Sequence, residues 1–461
     1  MKRVVIIGSG LGGLVTSCLL SKRGEKVVVV EHDKSPGGCL QSFVRDGVRF
    51  DTGFHYVGGM AEGGPLYGFF KSLGITDLPW KELDGQEIWC GGKCYDIPTG
   101  KERWIRYMTS QFPHQKENIK KFVEVCEDIA NCPFSETMPY WSKNAWKWLC
   151  ETIDDPELRN VISGSSLIIE LNRETLPLFA FGEIVYSYIH SIHRMEGGGR
   201  PVIDYFTDCL RKSGGEIHCS STVTQITEEN GCVTGVKTQD GKFFPADIVI
   251  STIHPASTMR LLSDESSMRK VYSRRVKALE NAMGCFTGNL KLKKGMIAMR
   301  DKPVYVHRED SDFWSYDGNP VNHVLVHFYP EQDAVDLITP VAWKYVEKWQ
   351  GTAVGQRGEE YEEFKGNLLN QCIELAEEAV PGLRNAVLRS WTSTPLTWRD
   401  YYLSPEGTSY GIRKDCNNPE TSVLLPKTPL AGLFLSGQSI ILHGIMGTTI
   451  SSFITADFLK E

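Results

Sequence analysis

The chain has 461 residues, 41% hydrophobic and 23% charged, with a formal net charge of −7: the composition of a soluble globular protein too long for one simple core. Lys and Arg are scattered rather than gathered into a basic stripe, which leaves no electrostatic footprint for nucleic acid as a partner. The 13 cysteines form no Cys-x-x-Cys pair and follow no signal peptide, so reduced thiols, no metal site and a cytoplasmic location are expected; no apolar run reaches the roughly 20 residues that span a bilayer.

The first element is a β-branched run over residues 3–7, followed by Gly8-Ser9-Gly10-Leu11-Gly12-Gly13 and an apolar, small-residue helix closed by Lys22-Arg23-Gly24. Val27 to Val30 form a second apolar strand that ends on Glu31. This is a βαβ unit whose strands read as hydrophobic on both faces. From about Gly68 the connections lengthen, with a hairpin predicted across Cys90-Gly91-Gly92-Lys93 and a helix carrying Ile119, Phe122, Val123, Cys126 and Ile129. Residues 134–192 are rich in aromatics and begin a substrate lobe. Pro201 starts an amphipathic helix with Val202, Tyr205, Phe206, Cys209 and Leu210 on one face, and the strand ending Ile248-Val249-Ile250-Ser251 returns the chain to the nucleotide domain. The run His323 to Phe328 predicts antiparallel strands in the substrate lobe, residues 360–380 a helix, and Leu433 to Ser436 a last strand before a closing helix. The expected class is α/β: a Rossmann-type nucleotide-binding domain with a parallel sheet (1–67, 196–260 and 425–461), interleaved with an α+β substrate domain carrying an antiparallel sheet (68–195 and 261–424).

Gly8, Gly10 and Gly13 match G-x-G-x-x-G between a strand and a helix. The first glycine permits the tight turn, the second lets backbone amides approach a pyrophosphate, and the third lets the helix pack closely. Glu31, at the end of the second strand, is placed to accept hydrogen bonds from ribose hydroxyls. A dinucleotide therefore binds here, but the motif alone does not separate FAD from NAD.

Two further segments favour FAD. Ser35-Pro36-Gly37-Gly38-Cys39-Leu40-Gln41-Ser42 resembles the second glycine motif of amine-oxidase-like and phytoene-desaturase-like flavoproteins, with Ser35 and Cys39 where arginines are common. Leu433 to Gln438, followed by His443-Gly444-Ile445-Met446-Gly447-Thr448-Thr449, is similar to that group's closing motif, with Gln438 where many relatives carry Asp. In that motif the last helix points its N-terminus at the flavin pyrimidine, where its dipole stabilises reduced, anionic flavin. Phe50-Asp51-Thr52-Gly53-Phe54-His55-Tyr56-Val57-Gly58-Gly59-Met60, Ala246 to Ser251 and the Thr394 to Gly411 region also resemble the phytoene desaturase, carotenoid isomerase and retinol saturase group. The resemblance implies FAD held by Gly8, Gly10, Leu11, Gly12, Gly13, Glu31, His32, Gly37, Gly38, Cys39, Ser42, Val223, Gly437, Gln438, Gly447 and Thr448, with Val223 giving backbone contacts to adenine. It also implies hydride transfer at flavin N5 to or from a carbon–carbon bond of an apolar polyene or isoprenoid.

Saturation also requires a proton at carbon, and His55, Tyr56 and His443 are the catalytic candidates on segments expected to reach the flavin. With one Rossmann fingerprint, NAD(P)H would visit the flavin face transiently or be replaced by another electron carrier. Alternatives are an amine-oxidase-like enzyme acting on a C–N bond, a reduced-flavin cis-trans isomerase, and a flavin-stabilised binding protein without turnover. Tyr140 to Leu149 mixes aromatics with lysines, either as core packing or as anchors for peripheral membrane contact. The sequence leaves substrate identity, direction and oligomeric state open.

Overall fold

The structure, a computed structural model, describes residues 1–309, 311–315 and 321–460. The chain opens with strand Arg3–Ile7, helix Leu11–Lys22 and strand Lys26–Val30. Val4, Val5, Ile6 and Ile7 are all buried, because helices cover both faces of the sheet they enter. That sheet has five parallel strands in the order 216–218, 26–30, 3–7, 248–251, 433–435, so distant parts of the chain return to flank the first strand. The closing helix Gly444–Phe458 packs along helix Leu11–Lys22, as expected of a last strand and helix that rejoin the first unit.

A second sheet has seven strands in the order 387–393, 284–292, 334–341, 323–329, 304–307, 86–90, 93–97. Neighbours are antiparallel except 304–307 beside 86–90. The hairpin expected over Cys90–Lys93 is present, with Gly91 and Gly92 both at positive φ, as a two-residue turn matched to strand twist requires. Strand His323–Tyr329 is buried throughout rather than on alternate residues. One face, Val324, Val326 and Phe328, packs on helix Glu359–Ala376; the other carries Leu325 and His327 toward the interior of the molecule.

The helices follow their apolar periodicity. Ile119, Phe122, Val123, Cys126 and Ile129 are the buried stripe of helix Lys116–Asn131. Val202, Phe206 and Leu210 play that part in Arg200–Lys212, which begins with Pro201 in its first turn. The aromatic stretch 140–149 resolves as core: Trp141 stacks on Phe179 at 4.6 Å and Trp148 on Phe122 at 5.6 Å, while Lys143 and Lys147 face out. Trp141 and Trp148 are therefore engaged inside the protein, while Tyr140 and Trp146 are half-buried. Among the described residues no helix is long and apolar enough to cross a membrane.

Candidate active site

The strands of the parallel sheet end on one side, and the loops leaving them line a cavity of about 620 Å³, inside the roughly 300–1,000 Å³ range of cofactor and ligand sites. Two helices start on this cavity. Leu11–Lys22 has Gly10 as its N-cap and Gly444–Phe458 has His443, and neither N-cap side chain bonds the first turn. Their first N–H groups and the positive ends of two helix dipoles are thus presented to whatever enters.

The glycines explain why backbone is bare here. Gly8 turns at φ +94°, and a Cβ on Gly13 would stand 2.0 Å from the Gly8 carbonyl oxygen, so the helix can leave the strand this tightly only without one. Gly10 differs: a Cβ there would meet nothing within 4 Å and would project into open space, where a diphosphate needs uncovered amides. Gly38 presses on the same turn, its missing Cβ lying 3.0 Å from the Gly10 Cα.

Glu31 is buried and saturated with donors. Its Oε2 accepts from the Ser9 N–H and the Ser9 hydroxyl, both at 2.7 Å, while Oε1 accepts from the Asp33 N–H at 2.8 Å and pairs with His32 Nδ1 at 2.9 Å. Burial opposes ionisation, but hydrogen bonds from His32, Asp33 and Ser9 outweigh it and hold the carboxyl below its ordinary range. His32 is raised in turn, chiefly by its bond to Glu31, and its Nε2 reaches the Tyr401 carbonyl at 2.9 Å. The two helix N-termini, the uncovered Gly10 turn and the Glu31 carboxylate are a set of groups that fits a flavin dinucleotide.

Of the residues singled out in the sequence, Gly8, Gly10, Leu11, Gly12, Glu31, His32, Gly38, Cys39, Val223, Gly437, Gln438 and Thr448 line the cavity, as do His55, Tyr56 and His443. Gly13, Gly37, Ser42 and Gly447 are not among the lining residues. Gly37 and Gly447 serve packing instead, since a Cβ would meet Ile203 Cδ1 at 2.4 Å in the first and the Leu442 carbonyl carbon at 2.3 Å in the second.

The three catalytic candidates differ in their surroundings. His443 Nε2 donates to the Ile168 carbonyl at 2.9 Å and its ring lies 4.4 Å from that of Tyr410. His55 Nδ1 is buried without a partner. Burial pushes both imidazoles down to about 4, so both are neutral near pH 7. Burial raises the Tyr56 phenol, whose oxygen lies 2.7 Å from His327 Nδ1.

Sequence reasoning missed two groups of lining residues. Thr252, Ile253, His254 and Ser257 follow strand Ile248–Ser251, and a parallel strand beside the first one delivers its loop to the same edge of the sheet; that strand was legible, so its loop could have been included. Cys285, Thr287, Leu325 and Ile338 come from three strands of the seven-stranded sheet, and Leu167, Ile184 and Tyr188 from the helical region opposite. Nothing local marks these; they form an apolar compartment only because the sheet's register puts them on one face.

Residues 6–73 match the model of an NAD(P)-binding Rossmann-like domain. The chain is 22% identical over 514 residues to human all-trans-retinol 13,14-reductase, covering 96% of this chain and 83% of that protein. It is 23% identical over 509 residues to the chloroplastic prolycopene isomerase 1 of an Oncidium hybrid cultivar, covering 98% and 84%. A solved structure of putrescine oxidase with putrescine superposes at a TM-score of 0.65 with 17% identity, over 100% of this chain and 99% of that one. Two long relatives aligned across nearly the whole chain, and one cavity lined both by the glycine turn and Glu31 and by apolar residues, fit an FAD-dependent oxidoreductase similar to the retinol reductases and carotenoid isomerases.

Proposed function

We propose that this enzyme acts on a carbon–carbon double bond of an apolar polyene or isoprenoid, in the direction of saturation. The observation that carries this reading is that one cavity is lined both by Glu31 and the Gly10 turn and by the apolar Leu167, Ile184, Leu325 and Ile338. A hydrocarbon entering the apolar end loses little hydration and gains buried area. Gly8, Gly10, Leu11, Gly12, Glu31, Gly38, Cys39 and Val223 would hold the ADP half of FAD, while Gly437, Gln438, Thr448 and the N-terminus of the last helix would hold the flavin and favour its reduced, anionic form. When bound, the flavin supplies hydride chemistry. The apolar walls exclude water and orient the double bond. His55, Tyr56 and His443 are the polar groups near that reaction, and NAD(P)H is the proposed transient electron donor.

The test is anaerobic reduction of the purified holoenzyme, followed by separate additions of all-trans-retinol, a carotenoid and putrescine. Reoxidation by a polyene with a saturated product supports the reading. Bleaching of the oxidised enzyme by the amine, with polyenes inert, replaces it with C–N oxidation; conversion of a cis polyene to its trans isomer without net reoxidation replaces it with isomerisation.

A further inference from the structure

We propose that Tyr56 and His327 form a proton-delivering dyad, in which Tyr56 gives its phenolic proton to the substrate carbon and His327 positions Tyr56. This rests on the saturation reading above. His327 lies 271 residues away from Tyr56, and the sequence did not mark it as functional.

Four phenols line the cavity: Tyr56, Tyr188, Tyr402 and Tyr410. The Tyr188 hydroxyl donates to the Tyr56 carbonyl at 3.3 Å, and that of Tyr410 donates to the Leu167 carbonyl. Tyr402 sits at the dinucleotide end, beside Cys39 and Thr52. Tyr56 is the one whose oxygen meets a ring nitrogen. Of the other polar candidates, His443 commits its Nε2–H to the Ile168 carbonyl at 2.9 Å, and His55 has a buried Nδ1 with no partner to position it.

The position of the dyad's hydrogens follows from burial. His327 is held neutral, because burial and then the neighbouring His55, Arg194 and Arg49 disfavour its charged form. Its Nε2 is buried with no partner. If Nε2 carried the hydrogen, a buried N–H would be orphaned and the Tyr56 hydrogen would be engaged by Nδ1. If Nδ1 carries it, only a lone pair is left unmatched, a lesser loss than an orphaned donor. Nδ1–H then donates to the Tyr56 oxygen, and the Tyr56 O–H is free to face the cavity. The same bond strengthens as charge develops on that oxygen, which is stabilisation aimed at the transition state.

The imidazole is fixed in this role by its surroundings. It meets the Tyr329 ring edge-on at 4.6 Å and the His55 ring at 4.7 Å. Tyr329 donates to Asp336 Oδ2 at 2.5 Å and accepts from the Asp51 N–H at 2.8 Å, and Asn289 closes the row by donating to Asp336 Oδ1 at 2.6 Å. His327 and Asp336 face each other in register across adjacent strands.

The step balances as a two-electron saturation. As the π bond of the alkene breaks, bound reduced flavin would supply the hydride for one C–H bond, and the Tyr56 proton forms the other at the neighbouring carbon. The phenolate recovers its proton from water when product leaves, and an NAD(P)H-class donor restores the reduced flavin.

The experiment follows anaerobic reoxidation of the reduced holoenzyme by all-trans-retinol, in H₂O and D₂O. Tyr56→Phe is expected to slow reoxidation about 100-fold or more, with flavin content and retinol binding by fluorescence quenching unchanged. His327→Leu is expected to slow it about 10-fold, and His327→Asn, whose amide N–H can replace Nδ1–H, to recover much of that loss. A Tyr56→Phe enzyme that reoxidises at the wild-type rate, or that loses rate only in proportion to lost flavin, overturns the dyad. A wild-type enzyme indifferent to retinol and carotenoids overturns the polyene reading instead. In that event ¹⁵N-histidine spectra of the holoenzyme decide the dyad: an Nδ1–H signal of His327 that shifts in Tyr56→Phe supports it, and an Nε2–H tautomer overturns it.

Discussion

The two walls of the cavity are built on opposite principles. The dinucleotide wall is backbone: Gly8, Gly10, Gly12 and Gly38 contribute amides and absent side chains, and Glu31 is its one buried carboxylate. The sheet wall is side chain: Cys285, Thr287, Leu325 and Ile338 stand on three strands and present apolar surface. Every residue has an amide, so a site made of amides is marked in the sequence by what has been removed from it. A site made of Leu, Ile and Cys is chemically indistinguishable from core until the strands are paired.

The largest effect should come from filling the first wall. Gly13→Val would drive a side chain into the Gly8 carbonyl, 2.0 Å from the Cβ position, at φ/ψ the turn cannot change. Overpacking of this kind costs roughly 3 kcal/mol or more where the backbone cannot yield. The expected outcome is protein without flavin, read as flavin absorbance per protein. Glu31→Ala is next: it strands the Ser9 and Asp33 N–H groups and the His32 donor. Each orphaned group costs about 1–3 kcal/mol, and FAD titration of the apoprotein should show affinity weakened roughly 100-fold.

The second wall should respond differently. Leu325→Ala removes buried methyl groups from a residue with a cavity on one side, which places its cost at the low end of the ~2–5 kcal/mol range. Flavin content should be unchanged, while the preferred polyene shifts toward bulkier molecules in a substrate panel. A Leu325→Ala protein that loses flavin as readily as Glu31→Ala would dissolve the distinction between the walls.

Acid should separate the walls most gently. His55, His254, His323 and His443 are pushed by burial to about 4, and His307 and His327 lie well below their ordinary value, also by burial. The unfolded chain therefore binds more protons than the folded one below the ordinary histidine value of about 6.5, so stability is full above it and is lost as pH falls toward 4. Buried Asp336 and Glu183, raised to about 8 and already protonated in the fold at pH 7, and Asp51, raised to about 6 and taking up its proton as pH falls through that value, act in the opposite sense. With His190 and His193 also lowered and Glu378 also raised by burial, eight imidazoles stand against four carboxyls, and a fall of about 2–5 °C in melting temperature is expected between pH 7 and 5. His32 carries the other sign: raised beside Glu31, its contribution is present below the ordinary value and lost as pH rises through its folded one. Flavin should accordingly stay bound across this acid range until the protein melts.

The sequence by itself determined the parallel sheet's opening unit, its closing strand and helix, and the cradle from Gly8 to Cys39, because those features depend on contacts within a few dozen residues or on glycine positions that admit no substitute. It also brought forward His55, Tyr56 and His443, which do line one cavity. It gave no separate roles to them, and of the expected cofactor contacts Gly13, Gly37, Ser42 and Gly447 are not among the residues that line the cavity. Only the tertiary structure decided that Trp141 and Trp148 turn inward, that Leu325 and Ile338 line the cavity, and that Tyr56 meets His327. Those outcomes depend on strand register and on which face of a seven-stranded sheet a residue occupies. A one-residue slip reverses every such assignment, and no local pattern in the sequence fixes it.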